Sequence, residues 1–123
     1  NILNATLLAM NRAIVRLSPV PHLCLIDGNH KVKNLVIPQQ TVVKGDQSSV
    51  AIAAASILAK VWRDTLMVRL APKYPHYDLA SNKGYGTANH RQGLSKFGPT
   101  RYHRLSFRTC RESQLMLFKP DQL

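Results

Sequence analysis

Acidic residues are scarce in this chain of 123 residues, which has six Asp and Glu against 17 Lys and Arg and a formal net charge of +11 at pH 7. Such a charge favours a polyanionic partner, either nucleic acid or, with less support, an anionic membrane surface. Between residues 79 and 111 there is no acid, and basic residues there alternate with aromatic ones. That mixture is typical of nucleic-acid binding, although a solvated basic surface has the same composition.

Cysteine is scarce as well, and long apolar runs are absent. Cys24 and Cys110 are the only cysteines, and their spacing argues against a disulfide framework and against a Cys-based metal site. No run is long enough to cross a bilayer and there is no signal peptide, so we expect a cytoplasmic protein with no membrane partner. The chain starts at Asn1, already inside a helical pattern, and we expect further residues upstream.

The apolar pattern predicts an α/β fold. Apolar residues three and four apart predict a helix over about residues 2–17. A continuous apolar run predicts a strand over residues 22–27, buried on both faces as in a parallel sheet. A second strand follows near residues 40–44, and an alanine-rich helix is predicted over about residues 48–70.

The rest of the chain reads as a loop and two shorter helices. Residues 76–86 are predicted as loop, Thr87 as the N-cap of a helix ending near Phe97, and residues 108–118 as a last helix. Two strands alone do not make a stable sheet, because strands buried on both faces need paired edges. We therefore expect strands from elsewhere to flank these two.

Two of the six acids end the predicted strands. Asp27 follows the first run and Asp46 the second, so both would lie at the carboxyl edge of a parallel sheet, where sites gather. Two carboxylates there could share Mg²⁺ or Mn²⁺, which prefer oxygen ligands. Asp-Gly is also a common turn sequence, and Gly-Asp suits the start of a helix. Spacing alone favours this simpler interpretation.

A polar stripe runs along the long predicted helix. Ser49, Ser56, Lys60 and Arg63 fall on one face, and the solvent side of an amphipathic helix explains this spacing without any function. Asp64 follows Arg63 directly and lies four residues after Lys60, so we expect a structural ion pair here in preference to a metal ligand.

Several segments, in a fixed order, resemble ribonuclease HII. They are residues 25–29 (LIDGN), 42–46 (VVKGD), 54–64 (AASILAKVWRD) and 83–87 (KGYGT) with His90, and residues 1–6 and 102–107 match the same family. The resemblance covers about residues 1–110. It implies an α/β fold that is a partial ribonuclease H-like core, with two parallel strands of the sheet plus helices, and a C-terminal helical extension.

This resemblance also implies the organisation of the chain. Residues 1–123 would form a single incomplete ribonuclease H-like domain. Residues 1–70 would be part of the α/β core, and residues 71–123 a C-terminal substrate-binding loop and helices. The implied activity is metal-dependent endonucleolytic hydrolysis of RNA in RNA–DNA hybrids and at ribonucleotides embedded in duplex DNA, with Mg²⁺ or Mn²⁺ as cofactor.

Site residues follow from the resemblance by position. Asp27 and Asp46 correspond to two of the family's four metal-binding carboxylates, and Tyr85 to the tyrosine that packs on the sugar at the RNA–DNA junction. The implied substrate-binding residues are Lys44, Ser56, Lys60, Tyr85, Thr87, His90 and Arg104, with His103 near the substrate or supporting the site.

The sequence departs from the family in one respect. The Asp-Glu pair of the family's first strand, and the Gly-Arg-Gly segment after it, do not occur here. The resemblance therefore implies a C-terminal portion that is inactive or nearly so alone, and a monomer once completed by its N-terminal segment. Two alternatives stay open: a non-catalytic basic module that binds nucleic acid by charge and stacking, and a metal-free fragment that folds only with its missing half.

Overall fold

The computed structural model describes residues 2–117, which divide into two compact units between Ala59 and Lys60. The elements, in order, are α1 (Ile2–Ile14), β1 (Cys24–Asp27), β2 (Gln39–Val42), α2 (Gly45–Ser48), α3 (Val50–Leu70), two 3₁₀ helices (Ala71–Lys73 and Pro75–Tyr77), α4 (Leu79–Asn82), α5 (Ala88–Phe97) and α6 (Arg108–Leu117). The mixed α/β class predicted from the sequence is confirmed. None of the described helices combines the length and apolarity needed to span a membrane.

The core of the first unit lies between α1 and one face of a two-stranded parallel sheet. β1 and β2 pair in register from Cys24 opposite Gln39 to Asp27 opposite Val42. Leu7 of α1 is buried against this face, as its place in the apolar stripe predicts. The core residues are Leu7, Cys24, Ile26 and Val32, with Met10, Ile14, Leu35 and Ile37 packed against them.

Burial along β1 differs from the prediction. Cys24 and Ile26 are buried while Leu25 and Asp27 are exposed, so the expectation of a strand buried on both faces was wrong for the residues described. The physical reason lies in which face of the sheet is covered by other residues. The core cluster fills one face of the sheet, and side chains of a strand alternate between faces.

The helix predicted from residue 48 is interrupted. α2 is a short helix, and Ser49 after it is extended, with φ −130° and ψ 119°. The Ser49 N–H donates to the Gly45 carbonyl, and its own carbonyl accepts from Ala53. One residue therefore ends α2 and starts α3, which then runs to Leu70 as predicted.

The second unit packs α5 and α6 around its own core, which is formed by Tyr77, Leu79, Leu94 and Cys110 with Leu70, Ala71 and Tyr74 against them. The predicted capping of α5 is confirmed, since the Thr87 hydroxyl accepts from the His90 N–H and the helix ends at Phe97. Residues 76–86 are not all loop, because α4 forms within them. α6 begins at Arg108, and its predicted end at Phe118 lies outside the described residues.

Candidate functional site

A backbone hydrogen bond holds the Asp27 carboxylate against the residue that precedes Asp46. The Gly45 N–H donates to the Asp27 carboxylate (N to Oδ1 2.8 Å), and Gly45 directly precedes Asp46 in the first turn of α2. A Cβ on Gly45 would lie 2.5 Å from Cδ1 of the buried Ile52 and 3.2 Å from Oδ1 of Asp27. A larger residue at position 45 would therefore displace the Ile52 side chain and crowd the Asp27 carboxylate.

Both carboxylates are exposed, and neither takes part in an ion pair with a described residue, since the ion pairs found there use Asp64 or Glu112. Within residues 2–117 no group of three or more His, Cys, Asp or Glu side chains is placed to hold a metal ion. The edge of the sheet thus presents a pair of carboxylates. We call Asp27 and Asp46 the carboxylate pair.

Two other predicted site residues lie in this first unit. Lys44 has a left-handed backbone (φ 54°) just before α2, and its carbonyl accepts from the Ser48 hydroxyl at 3.2 Å. Lys44 is exposed and directly precedes Gly45 in the sequence. Ser56 is exposed on α3. The apolar Ile57 and Leu58 beside it are exposed too, so exposure does not set the polar stripe apart from the rest of this part of α3.

In the second unit, two cations lie against the ring of Tyr85. The Lys60 Nζ is 5.3 Å from the ring centroid and the Arg63 Cζ is 4.8 Å from it, both within the range of a cation–π attraction. The ring is still 55% exposed, so a nucleotide can reach it. We call Lys60, Arg63 and Tyr85 the tyrosine platform.

The loop that carries Tyr85 is held by a buried amide that the sequence did not single out. Asn82 is 6% exposed. Its side chain donates to the Tyr77 carbonyl at 2.7 Å and accepts from the Gly84 N–H at 2.8 Å. Gly84 has φ +80°, and a Cβ there would lie 3.3 Å from Met67 Sδ. Asn-Lys-Gly is a turn sequence, which was the available signal.

Asp64 bonds both cations of the platform. Its Oδ2 accepts from Lys60 at 2.6 Å and its Oδ1 lies 3.4 Å from Arg63 NH1. The hydrogen bond from Lys60 lowers the pKa of Asp64, and the charges of Lys60, Arg63 and Lys83 act in the same direction. The same hydrogen bond raises the pKa of Lys60.

His90 and His103 form a hydrogen-bonded pair. The His90 Nδ1 lies 3.1 Å from the Tyr77 carbonyl, which only accepts, so this nitrogen carries the proton. The His103 Nδ1 accepts from the Thr100 N–H at 3.0 Å, so its proton is on Nε2 in the neutral ring. The two Nε2 atoms are 3.3 Å apart, which fits a bond from His103 to His90. His90 is 6% exposed, and its visible contacts support the fold of this unit.

This pair predicts acid sensitivity. Burial, and then the nearby His90, lower the pKa of His103 below its ordinary value. The folded state therefore binds fewer protons than the unfolded state below about pH 6.5, and stability is lost as the pH falls through that value. Urea denaturation of the chain at about pH 7.5 and about pH 5 measures this loss. His103→Gln should flatten the dependence, and the exposed His22→Gln should not. An equal loss of stability between the two pH values in all three proteins would contradict the assignment of this loss to His103.

Arg104 lies among further pairs of a cation and an aromatic ring. Its Cζ is 5.6 Å from the Phe107 ring, and Arg101 lies 4.9 Å from the Tyr102 ring and donates to its hydroxyl at 2.8 Å. Both rings are about half exposed. The mixture of charge and rings noted in the sequence is thus present as contacts on the surface of this unit.

Known proteins with similar sequences show the family of this chain. The family model for ribonuclease HII matches residues 1–110. The chain belongs to the ribonuclease HII family. It is 66% identical over 115 residues to the ribonuclease HII of Acaryochloris marina, covering 94% of this chain and 58% of that protein. It is 61% identical to the ribonuclease HII of Trichodesmium erythraeum, covering 92% of this chain and 54% of that protein.

Coverage of these ribonuclease HII relatives is partial. A third relative, the ribonuclease HII of a Nostoc species, is 59% identical over 113 residues, which are 92% of this chain and 50% of that protein. The chain thus spans about half the length of the curated ribonuclease HII proteins that it matches. Both the carboxylate pair and the tyrosine platform lie within the residues that the family model matches.

The carboxylate pair fits the kind of metal that the ribonuclease HII resemblance implies. Its donors are oxygens, which Mg²⁺ and Mn²⁺ prefer over nitrogen and sulfur. One oxygen of Asp27 is fixed by Gly45, and no described residue bonds the other. Cys24 and Cys110 are buried, and the His90 and His103 rings contact each other.

Proposed function

We propose that this chain supplies part of a metal-dependent endonuclease that hydrolyses RNA in RNA–DNA hybrids and at ribonucleotides embedded in duplex DNA. The observation that carries the proposal is the hydrogen bond from Gly45 to Asp27, which places the Asp27 carboxylate against the residue before Asp46 in a chain of the ribonuclease HII family. The relatives carry the name ribonuclease HII, which supports the same class of reaction.

In this proposal Asp27 and Asp46 hold Mg²⁺ or Mn²⁺. When bound, such a metal activates water and stabilises the leaving oxygen of a phosphodiester. The chain's own part is to orient the carboxylates, which Gly45 does from the backbone. Lys44, next to this pair in the sequence and exposed, adds positive charge for the scissile phosphate.

In this proposal the tyrosine platform binds the nucleic-acid substrate. An exposed ring packs on a sugar or a base, and cations beside it bind the neighbouring phosphates. Tyr85, Lys60 and Arg63 combine the two in one cluster of the second unit. Close packing of a ring on a sugar distinguishes deoxyribose from ribose, because the 2′-hydroxyl takes up the space.

A binding measurement tests the carboxylate pair. It compares the affinity for a short DNA duplex with one ribonucleotide in Mg²⁺ and in a chelator, at constant ionic strength. We expect Mg²⁺ to strengthen binding about tenfold in the wild type and Asp27→Asn to remove most of that gain. Asp78→Asn is the matched control, since it makes the same change at an acid whose partner is Asn89. A gain that survives in Asp27→Asn would contradict the proposal.

Cleavage is read in the same samples. We expect little or no product from the 123 residues alone. They supply two carboxylates to the proposed site, and a two-metal site for phosphodiester cleavage needs more ligands than these. Robust cleavage that Asp27→Asn abolishes would overturn this expectation of inactivity while supporting the metal role of the pair.

A second candidate function is a non-catalytic basic module that binds nucleic acid by charge and stacking. The pairs of Arg101 with Tyr102 and Arg104 with Phe107 favour it. This function predicts a steep salt dependence, no effect of metal, and binding by Asp27→Asn that is unchanged or tighter because one negative charge is removed. The same titrations therefore separate the two functions.

A further inference from the structure

Asp64 stands out among the acids of the second unit because cations surround it. Lys60 and Arg63 each bond one of its carboxylate oxygens, and the charge of Lys83 also reaches it. Its side chain is 26% exposed, against 51% for Lys60 and 38% for Arg63. The acid is therefore the least exposed of the three side chains.

The two cations that Asp64 bonds are the same two that contact Tyr85. Lys60 and Arg63 approach one ring to 5.3 Å and 4.8 Å, and they carry like charges that repel each other. A carboxylate that bonds both offsets this repulsion. Without it, two long and flexible side chains would spread into solvent, where each gains rotamer freedom.

We propose that Asp64 is a positioning residue, which holds Lys60 and Arg63 against the Tyr85 ring so that ring and cations together bind one nucleotide and its flanking phosphates. This inference rests on the proposed nucleic-acid function of the tyrosine platform. Asp64 itself does not touch the nucleic acid. It acts through the two cations, by fixing where their charge lies relative to the ring.

Stability and binding separate this role from an ordinary surface ion pair. An exposed ion pair contributes little to folding, so replacing Asp64 should leave the melting temperature nearly unchanged. Its removal also raises the net charge from +11 to +12, which by general attraction tightens binding to a polyanion. If Asp64 positions the two cations, its removal should instead weaken binding in spite of the added charge.

Asp64→Asn is the decisive variant. One carboxylate oxygen becomes an amide N–H₂ group, which cannot accept from a cation, so Lys60 and Arg63 can no longer both be held. Glu112→Gln is the matched control, because Glu112 lies 3.4 Å from Arg108 four residues away in the same unit and the change removes the same charge. Asp64→Glu restores the carboxylate and should recover most of the binding.

The measurement is the affinity of the full 123-residue chain for a short fluorescein-labelled DNA duplex with one ribonucleotide, over a series of salt concentrations. We expect Asp64→Asn to bind about fivefold to tenfold more weakly and to lower the slope of log K against log salt by about one. Glu112→Gln should bind as tightly as the wild type or more tightly. Binding by Asp64→Asn that equals or exceeds that of the wild type would overturn the inference.

A second measurement needs no nucleic acid. In the wild type the methylene protons beside the Lys60 Nζ should show an upfield ring-current shift from Tyr85, which Tyr85→Ala removes. Asp64→Asn should lose most of that shift and Glu112→Gln should keep it. If the wild-type chain fails to bind the duplex, the proposed function fails, and this shift decides the positioning role independently. A shift that persists in Asp64→Asn refutes positioning even if the duplex binds.

Discussion

Gly93→Ala is expected to destabilise the second unit by about 3 kcal/mol or more. Gly93 is buried in α5, and a Cβ there would lie 2.1 Å from the His76 carbonyl oxygen and 3.1 Å from its carbon. These are backbone atoms, so no side-chain rotation relieves the overlap. α5 would have to move away from the 3₁₀ helix that carries His76, which opens the core around Leu94.

Thermal unfolding followed by circular dichroism measures this effect. Gly86→Ala is the control, since a Cβ at Gly86 would have nothing within 4 Å and the residue lacks a left-handed backbone. We expect that control to stay within about 0.5 kcal/mol of the wild type. A Gly93→Ala protein that melts with the control would show that α5 and the preceding segment are not packed as described.

Tyr85→Ala is expected to weaken binding to a ribonucleotide-containing duplex about tenfold to a hundredfold, the range for loss of one stacked ring. Tyr85→Phe keeps the ring and should stay close to the wild type. The loss should be larger for the duplex with a ribonucleotide than for an all-DNA duplex, because the ring is proposed to pack at the junction between the two sugars.

Tyr102→Ala is the matched control for this prediction. Tyr102 has the same exposure as Tyr85, 55%, and has its own cation, Arg101, at 4.9 Å. If rings on a basic surface bind without distinction, the two alanine variants lose affinity equally. Equal losses would therefore favour the non-catalytic basic module over a dedicated platform at Tyr85.

Local patterns predicted most of the elements correctly. The stripe through Leu7 predicted α1, because one face of a helix must be buried to form a core. Thr87 and Gly98 predicted both ends of α5, since a hydroxyl N-cap and a glycine after the last turn satisfy the end groups of a helix. These features depend on neighbours within a few residues, which a sequence shows directly.

The burial pattern of β1 and several breaks in the backbone were not predicted. The alternating burial of β1 depends on which faces of the sheet are covered, and a run such as Leu25-Ile26 is equally apolar in either case. The break at Ser49 depends on hydrogen bonds to Gly45 and Ala53 that hold it extended. Left-handed backbones at Asp78 and Lys83, which bound α4, are non-glycine exceptions that propensity does not favour.

The candidate site shows the same division. Sequence motifs singled out Asp27, Asp46 and Tyr85, but not the partners that position them. The buried Asn82 beneath the Tyr85 loop bonds residues within five positions of itself, but only its turn sequence pointed to it. The contact of Arg63 with the ring joins residues 22 positions apart, so it does not follow from local spacing. The histidine pair likewise joins residues 90 and 103 through contacts made only in the folded chain.

The Gly45–Asp27 hydrogen bond has a mechanical consequence. It joins the last residue of β1 to the first residue of α2, so the Asp27 side chain and the start of α2 are held together. The Ile52 side chain of α3 packs against the same glycine, so an apolar residue supports the backbone next to both acids. The Asp27 carboxylate is therefore positioned by the backbone at the start of α2, in the same turn that carries Asp46.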